Sequence, residues 1–272
     1  MNNRNNVFEL NNVVFNYPYE EPVLNGISFA IKPGEKICIL GANGSGKSTL
    51  LKLLCGLIFP GKGEFKAFGQ NINEKVLSDH RFSKEYHRKV GFIFQNSDVQ
   101  LFNSTARDEI AFGPLQLGLS SQEVEKRVGD VLHLLNIEHL KNKTPFRLSG
   151  GEMKKVAIAS VLVLNPEVLI LDEPTNGLDP KTQRWLVELL LTLNQSGRTI
   201  LTSTHNLELV HEISDRSLVF SENHTIAADA ATEAVLKDVE LLESVNLVDR
   251  YYHTHEDGSH VHYHVHGFHN RG

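Results

Sequence analysis

The chain has 272 residues, 40% of them hydrophobic and 22% charged, with a formal net charge of −6. This is the composition of a soluble globular protein with a real core, and the acidic balance argues against a nucleic-acid-binding surface. No run approaches the roughly 18 apolar residues of a membrane-spanning helix, and the polar residues 1–6 contain no signal-peptide core. Cys38 and Cys55 lie in apolar stretches and read as buried thiols of a reducing compartment.

Residues 7–16 mix Val, Phe and Leu with Asn and predict a strand, and Pro18, Glu20, Glu21 and Pro22 mark the turn after it. Tyr17 stands between them, an aromatic that could stack on an adenine face or pack under the turn. Residues 27–31 predict a second strand, and Pro33-Gly34-Glu35 a hairpin turn. The apolar run Lys36-Ile37-Cys38-Ile39-Leu40 reads as a buried strand. Gly41-Ala42-Asn43-Gly44-Ser45-Gly46-Lys47-Ser48 follows directly. Thr49 then opens a stretch in which Leu50, Leu54 and Leu57 keep the spacing of one helix face. A glycine-rich turn between strand and helix is the context of a phosphate-binding loop. Its amides form a nest for anions, and the helix start adds its positive dipole end. Lys47 is placed to reach the β- and γ-phosphates of a nucleotide, and the Ser48 hydroxyl to ligate Mg²⁺.

Residues 64–68 and 90–94 predict strands separated by a polar connection. Gln95 ends the second of them, either a solvated loop residue or a carbonyl offered to a metal or water. Residues 104–144 are helical in pattern, with Val124, Val128, Val131, Leu132 and Leu135 at helical period, and read as a small helical subdomain. In Leu148-Ser149-Gly150-Gly151-Glu152, Ser149 and Glu152 match a capping box. The two glycines leave a second helix start open to an anion. Residues 167–171 form an apolar strand that ends in Asp172 and Glu173. Two acids at the C-terminal end of a buried parallel strand lie where α/β sheets bind ligands. Asp172 then fits a Mg²⁺ shell and Glu173 a general base or water polariser. A helix from about Pro180 to Gln195 and a strand over 198–203 follow, with His205 just past the strand's end.

Taken together and in this order, the motifs over about residues 7–220 resemble the nucleotide-binding subunit of an ABC transporter. The resemblance makes Gly41 to Ser48, with Thr49, the Walker A loop, and Tyr17 the aromatic that stacks on adenine. Gln95 becomes the Q-loop glutamine, residues 148–152 the ABC signature, and Asp172 the end of Walker B. Glu173 becomes the catalytic glutamate, Asp179 the D-loop acid and His205 the switch histidine. It implies an α/β fold: a P-loop NTPase core sheet, an N-terminal antiparallel β portion, a helical signature subdomain near 96–163 and a short C-terminal extension near 221–248. ATP and Mg²⁺ follow from it, with Ser48, Gln95 and Asp172 around the metal. So does a dimer, of two copies or with a second ATPase, in which Ser149, Gly150 and Gly151 of one subunit cap the γ-phosphate held by Lys47 of the other. Two residues depart from the family pattern: Glu152 where Gln is usual, and Lys155 where Arg is common. A carboxylate near a γ-phosphate is unfavourable unless the helix cap uses its charge.

Wording around the motifs, Gly91 to Asn96, Asp98, Gln100 to Phe102 and Glu109 to Pro114 with residues 233–247, is similar to the energy-coupling-factor branch and its cobalt and nickel importers. That implies a peripheral ATPase on the cytoplasmic face of the cell membrane, driving integral membrane subunits, with no nucleic-acid partner. An importer ATPase for another solute such as a vitamin, or a soluble ABC ATPase outside transport, stays open. Residues 1–248 read as the ATPase domain and 249–272 as a histidine-rich flexible tail. The chain has 14 histidines. In the tail, His260, His262, His264 and His266 alternate with Val261, Tyr263 and Val265, so an extended backbone sets them on one face. Neutral imidazoles suit Ni²⁺, Co²⁺, Zn²⁺ and Cu²⁺.

Overall fold

A computed structural model describes residues 6–97, 100–255 and 258–265; for 249–255 and 258–265 the description is of the backbone. The chain divides into two units, one made of Met1–Ile72 with Leu201–Gly272 and the other of Asn73–Ile200.

The first unit opens with strands β1 (Phe8–Asn16), β2 (Pro22–Ile31) and β3 (Lys36–Leu40), helix α1 (Lys47–Leu54), β4 (Lys62–Ala67) and the short β5 (Gln70–Asn71). β1 lies between β2 and β4 and is antiparallel to both. Its inward residues are Phe8, Leu10 and Val13, an interrupted alternation. The interruption is a bulge: Asn12 has φ 51° and its N–H is taken by the Ser28 hydroxyl at 2.8 Å. β2 starts five residues before its expected beginning at Ile27, because Pro22 and Leu24 pair with Asn16 and Phe15. Proline is tolerated there as the first residue of a strand.

Helix α1 ends earlier than the leucine spacing suggests. Gly56, with φ 70°, closes it: the Gly56 N–H reaches the Leu53 carbonyl at 2.9 Å and the Leu57 N–H the Lys52 carbonyl at 3.0 Å. This is a Schellman stop, and it leaves Leu57 outside the helix and 49% exposed.

The second unit contains α2 (Glu74–Leu77), α3 (His80–Lys89), β6 (Val90–Ile93), α4 (Ala106–Gln116), α5 (Ser121–Leu134), α6 (Gly150–Leu162), β7 (Val168–Asp172) and α7 (Pro180–Gln195). β6 and β7 run parallel, from Val90 opposite Val168 to Ile93 opposite Leu171. Helices α4 and α5 occupy the stretch expected to be helical, and α5 buries Val124, Val128, Val131 and Leu132. Helices α2 and α3 fall in what reads as a polar connection. Of the two, only α3 buries a residue, Tyr86, so no apolar stripe marks them. Their signal was the pair of N-caps, Asn73 and Asp79, whose side chains accept from Val76 and Phe82 N–H.

Strand β8 (Thr199–Ser203) carries the chain back to the first unit. There follow α8 (Leu207–Ile213), β9 (Arg216–Phe220), β10 (Ile226–Ala231), α9 (Thr232–Lys237), α10 (Val239–Ser244), β11 (Val248–His255) and β12 (Gly258–Val265). β9 is parallel to β3 and antiparallel to β10. Cys38 and Leu40 of β3 and Val219 of β9 share one buried cluster with Val210, Val235, Leu242, Val245 and Leu247. The segment after β10 is thereby packed under the strand that delivers the glycine loop. At roughly 1.5–3 kcal/mol for each fully buried Val or Leu, this packing holds β3 in place.

Candidate nucleotide site

The phosphate loop is built in the first unit between β3 and α1. Ile37 to Leu40 are fully buried, so the strand's end cannot drift. Two glycines are then required by geometry. Gly41 has φ 150°, and a Cβ there would lie 2.7 Å from Ser45 Oγ and 3.0 Å from the Phe220 carbonyl oxygen. Gly46, the N-cap of α1, has φ 108°, and a Cβ would meet the Val23 carbonyl oxygen at 2.5 Å. Any side chain at either position would displace backbone.

Lys47 is 6% exposed, and its Nζ donates to the carbonyls of Gly41 at 2.8 Å and Ala42 at 3.0 Å. The cation is thus held at the mouth of the loop. No side chain caps α1 and no acid occupies its first turn, so its amides are open to an anion. Ser45 Oγ is buried without a hydrogen-bond partner. An orphaned hydroxyl, a buried ammonium and an uncapped helix start are what a polyphosphate would satisfy.

A histidine that carried no signal in the sequence supports the loop from outside. His224 sits in the turn between β9 and β10 with φ 61°, and its Nδ1 is 3.2 Å from the Ser45 carbonyl. A carbonyl only accepts, so Nδ1 carries the proton and donates. The His224 carbonyl in turn accepts from Asn25 N–H of β2 at 2.9 Å. Tyr17, in the same unit, is half-buried with its ring edge-on to Phe15 at 5.0 Å. His205, also in this unit, is half-buried just past β8.

The other candidate residues belong to the second unit. Ser149 is the N-cap of α6, and the capping box is complete: its hydroxyl accepts from Glu152 N–H at 3.3 Å, and Glu152 Oε2 accepts from Ser149 N–H at 2.9 Å. Lys143 Nζ approaches Glu152 Oε1 at 3.2 Å. The Ser149 N–H first, and then Lys143, hold the Glu152 carboxyl below the usual glutamate range. The charge on Glu152 is therefore spent within the helix start, which meets the condition set by its departure from Gln.

Gly150 is exposed, and a Cβ on it would meet nothing within 4 Å. Gly151 is different: a Cβ would lie 2.9 Å from Thr182 Oγ1. Thr182 is bound to Asp179, whose carboxylate accepts from its hydroxyl at 2.6 Å and its N–H at 3.0 Å as the N-cap of α7. These bonds hold the Asp179 carboxyl low. Gly151 and the Asp179 turn thus meet through one threonine. Leu148 is buried beneath them. Lys155 Nζ lies 4.7 Å from the centre of the Trp185 ring, a cation–π contact on α7.

Gln95 is exposed and follows β6. Its backbone is fixed by α6: Lys154, 3% exposed, donates to the carbonyls of Gln95 at 3.0 Å and Phe94 at 3.2 Å. Gln100 Nε2 donates to the Ala157 carbonyl at 3.1 Å, and its Oε1 accepts from Phe94 N–H at 3.3 Å. Asp172 and Glu173, at the end of β7, are 6% and 7% exposed. Glu173 has φ 42°, a left-handed conformation rare for a non-glycine residue and typical of functional sites.

The family model described as ABC transporter matches residues 24–176. The chain belongs to the ABC transporter family. As a member, it carries an ABC ATP-binding domain and is an ATPase. The energy-coupling factor transporter ATP-binding protein EcfA of Methanocaldococcus jannaschii is 42% identical, over 89% of this chain and 85% of its own. The nickel import ATP-binding protein NikO of Rhodobacter capsulatus is 44% identical, over 89% and 95%. Among solved structures, cbiO1 from Clostridium perfringens, part of the ABC transporter complex cbiONQ, superposes with a TM-score of 0.77 at 34% identity, over 89% of this chain and 95% of that one. The ATP-binding cassette MJ0796, a post-hydrolysis dimer with ADP and Pi, gives 0.74 at 29% identity, over 83% and 98%.

The match confirms the expected fold: a P-loop core, an antiparallel N-terminal sheet and helices on an ABC ATPase plan. No helix among the described residues is long and apolar enough to cross a membrane. Of the tail histidines, His260, His262 and His264 lie on β12, and His266 lies outside the described residues.

Proposed function

We propose that this ABC ATPase energises an importer of the energy-coupling-factor type that carries a transition-metal cation, cobalt or nickel. The observation that supports the coupling mechanism best is the start of α6. Its capping box and Lys143 absorb the Glu152 carboxylate, so Ser149, Gly150 and Gly151 present a helix N-terminus that an anion can approach. The starts of α1 and α6 are both open to an anion in this way. The start of α1 of one copy holds the phosphates and that of α6 of a second copy caps them. The dimer of MJ0796 supports that arrangement by analogy.

Ser48, Gln95 and Asp172 offer a hydroxyl, an amide carbonyl and a carboxylate. These are hard oxygen donors of the kind Mg²⁺ takes. When bound, Mg²⁺ neutralises charge on the β- and γ-phosphate oxygens. Lys47 positions the phosphates, and Tyr17 offers its face to the adenine ring. Glu173 polarises the attacking water, and His205 holds the γ-phosphate end. Positioning and charge stabilisation of this kind carry most of phosphoryl-transfer catalysis. ATP binds the closed dimer better than the open one, and hydrolysis removes that difference.

Membrane subunits are the partners of this reading. Phe102 and Phe112 form an edge-on pair at 5.0 Å with Phe102 62% exposed, an apolar surface suited to a partner helix. The solute class rests on the likeness to NikO, named a nickel import ATP-binding protein. The deciding experiment is co-expression with the membrane subunits of an energy-coupling-factor importer, followed by purification and uptake of radiolabelled Ni²⁺ and Co²⁺ into vesicles. ATP-dependent uptake that Glu173→Gln abolishes supports the reading. Uptake of neither metal by an assembled, ATP-hydrolysing complex overturns the solute class.

A further inference from the structure

Strands β11 and β12 pair antiparallel with every position matched, from Val248 opposite Val265 to His255 opposite Gly258. The register puts His253 directly opposite His260, Tyr251 opposite His262 and Asp249 opposite His264. Directly opposed residues share a face of the hairpin, as do alternate residues along each strand. One face therefore carries Asp249, Tyr251, His253 and His255 from β11 with His260, His262 and His264 from β12. The other carries Val248, Arg250, Tyr252 and Thr254 with Ser259, Val261, Tyr263 and Val265. All five strand histidines from position 253 onward fall on the first face and none on the second.

We propose that this face is a binding site for a late first-row divalent cation, centred on the opposed pair His253 and His260 together with His262, which is diagonal to His253. Opposed residues have Cβ atoms about 4.5–5.5 Å apart and diagonal ones about 7–8 Å. Imidazole nitrogens bind such ions at about 2.0–2.1 Å, so the stations of His253, His260 and His262 suit one ion, whereas His255 and His262, four steps of about 3.3 Å apart along the hairpin, are too widely spaced to share it. Neutral imidazole selects Co²⁺, Ni²⁺, Cu²⁺ and Zn²⁺ over Mg²⁺ and Ca²⁺, which require oxygen donors. Gly258 opposite His255 adds no bulk on that face. The register assigns one donor, His253, that alternation along the second strand alone does not reveal. The proposal is independent of the solute that the ATPase serves.

The test is calorimetric titration of the full chain with NiCl2, CoCl2, ZnCl2 and MgCl2, with ATP binding measured on each variant as the check of folding. One equivalent of a late first-row ion binds wild type, and Mg²⁺ without nucleotide does not compete for it. The double variant His253→Gln, His260→Gln weakens that binding at least about tenfold, the scale that even outer-shell partners command. Inserting one glycine between Val261 and His262 keeps every histidine but moves His262 and His264 to the opposite face. It weakens binding by a similar factor, whereas a tail of independent histidines would not register the insertion. No binding by wild type, wild-type affinity in either variant, or an equal loss from His139→Gln in the second unit overturns the proposal.

Discussion

Lys154 Nζ, buried within α6, lies 3.0 Å from the backbone carbonyl of Gln95. The helix that begins at Gly150 therefore holds the segment that carries Gln95, the residue proposed as a Mg²⁺ ligand. Replacing Lys154 with Met keeps the length of the side chain and removes its donor. The carbonyls of Phe94 and Gln95 then lose a charged donor, a hydrogen bond worth about 1.5–3 kcal/mol. We expect a lowered Tm and a larger fall in kcat than in ATP affinity, because Gln95 is displaced while the Lys47 loop is not. Thermal denaturation and steady-state phosphate release on one sample check both.

The contact of His224 with Ser45 predicts a graded response. His224→Asn keeps a donor near Nδ1 and tolerates the positive φ of this turn. His224→Gly keeps the turn and deletes the donor. A single hydrogen bond is worth about 0.5–1.5 kcal/mol net, so the glycine variant should bind ATP roughly 2- to 10-fold more weakly while the asparagine variant stays near wild type. Equal affinities for all three by calorimetry would remove His224 from the loop's support.

Glu173→Gln should bind ATP normally and lose turnover by about 10²–10⁴-fold, the usual contribution of a positioned base. A dimer trapped by ATP should appear on size exclusion. Turnover near wild type would assign the water-polarising role elsewhere.

The Glu152 carboxyl is held below the ordinary glutamate range by the Ser149 N–H and Lys143. A depressed carboxyl contributes stability that is present above its unfolded value, near 4.3. That contribution is lost as pH falls through its folded value. Wild type should therefore exceed Glu152→Ala in urea midpoint at neutral pH, and the gap should narrow as pH falls below the unfolded value and through the folded one. Glu152→Gln keeps the capping box and should show a flatter pH profile than wild type. Parallel wild-type and Glu152→Ala curves across this window would contradict the assignment.

Gly46→Ala places a methyl group against the Val23 carbonyl at φ 108°. Loss of detectable ATP binding with little change in secondary structure is the expected result, read by calorimetry and circular dichroism. Gly44→Ala meets no atom within 4 Å, though its φ of 83° still strains an alanine, and should be milder.

The local motifs were legible because their geometry is encoded in neighbouring residues. A buried strand, positive-φ glycines and a helix start fix the phosphate loop within about a dozen positions. The S-x-x-E capping box needed only four, and the pair of acids after an apolar strand announced itself. Polar helices α2 and α3 were missed because they bury almost nothing, and α1 was overextended because the Gly56 stop outweighs the leucine spacing.

What the sequence could not decide were the contacts made across long separations. His224 supports Ser45 from 179 residues away, and Lys154 holds Gln95 from 59 residues away. No pattern in the neighbouring residues marks such partners. They are selected when the packed core fixes two distant backbones within one hydrogen bond of each other, and only the folded chain sets that distance.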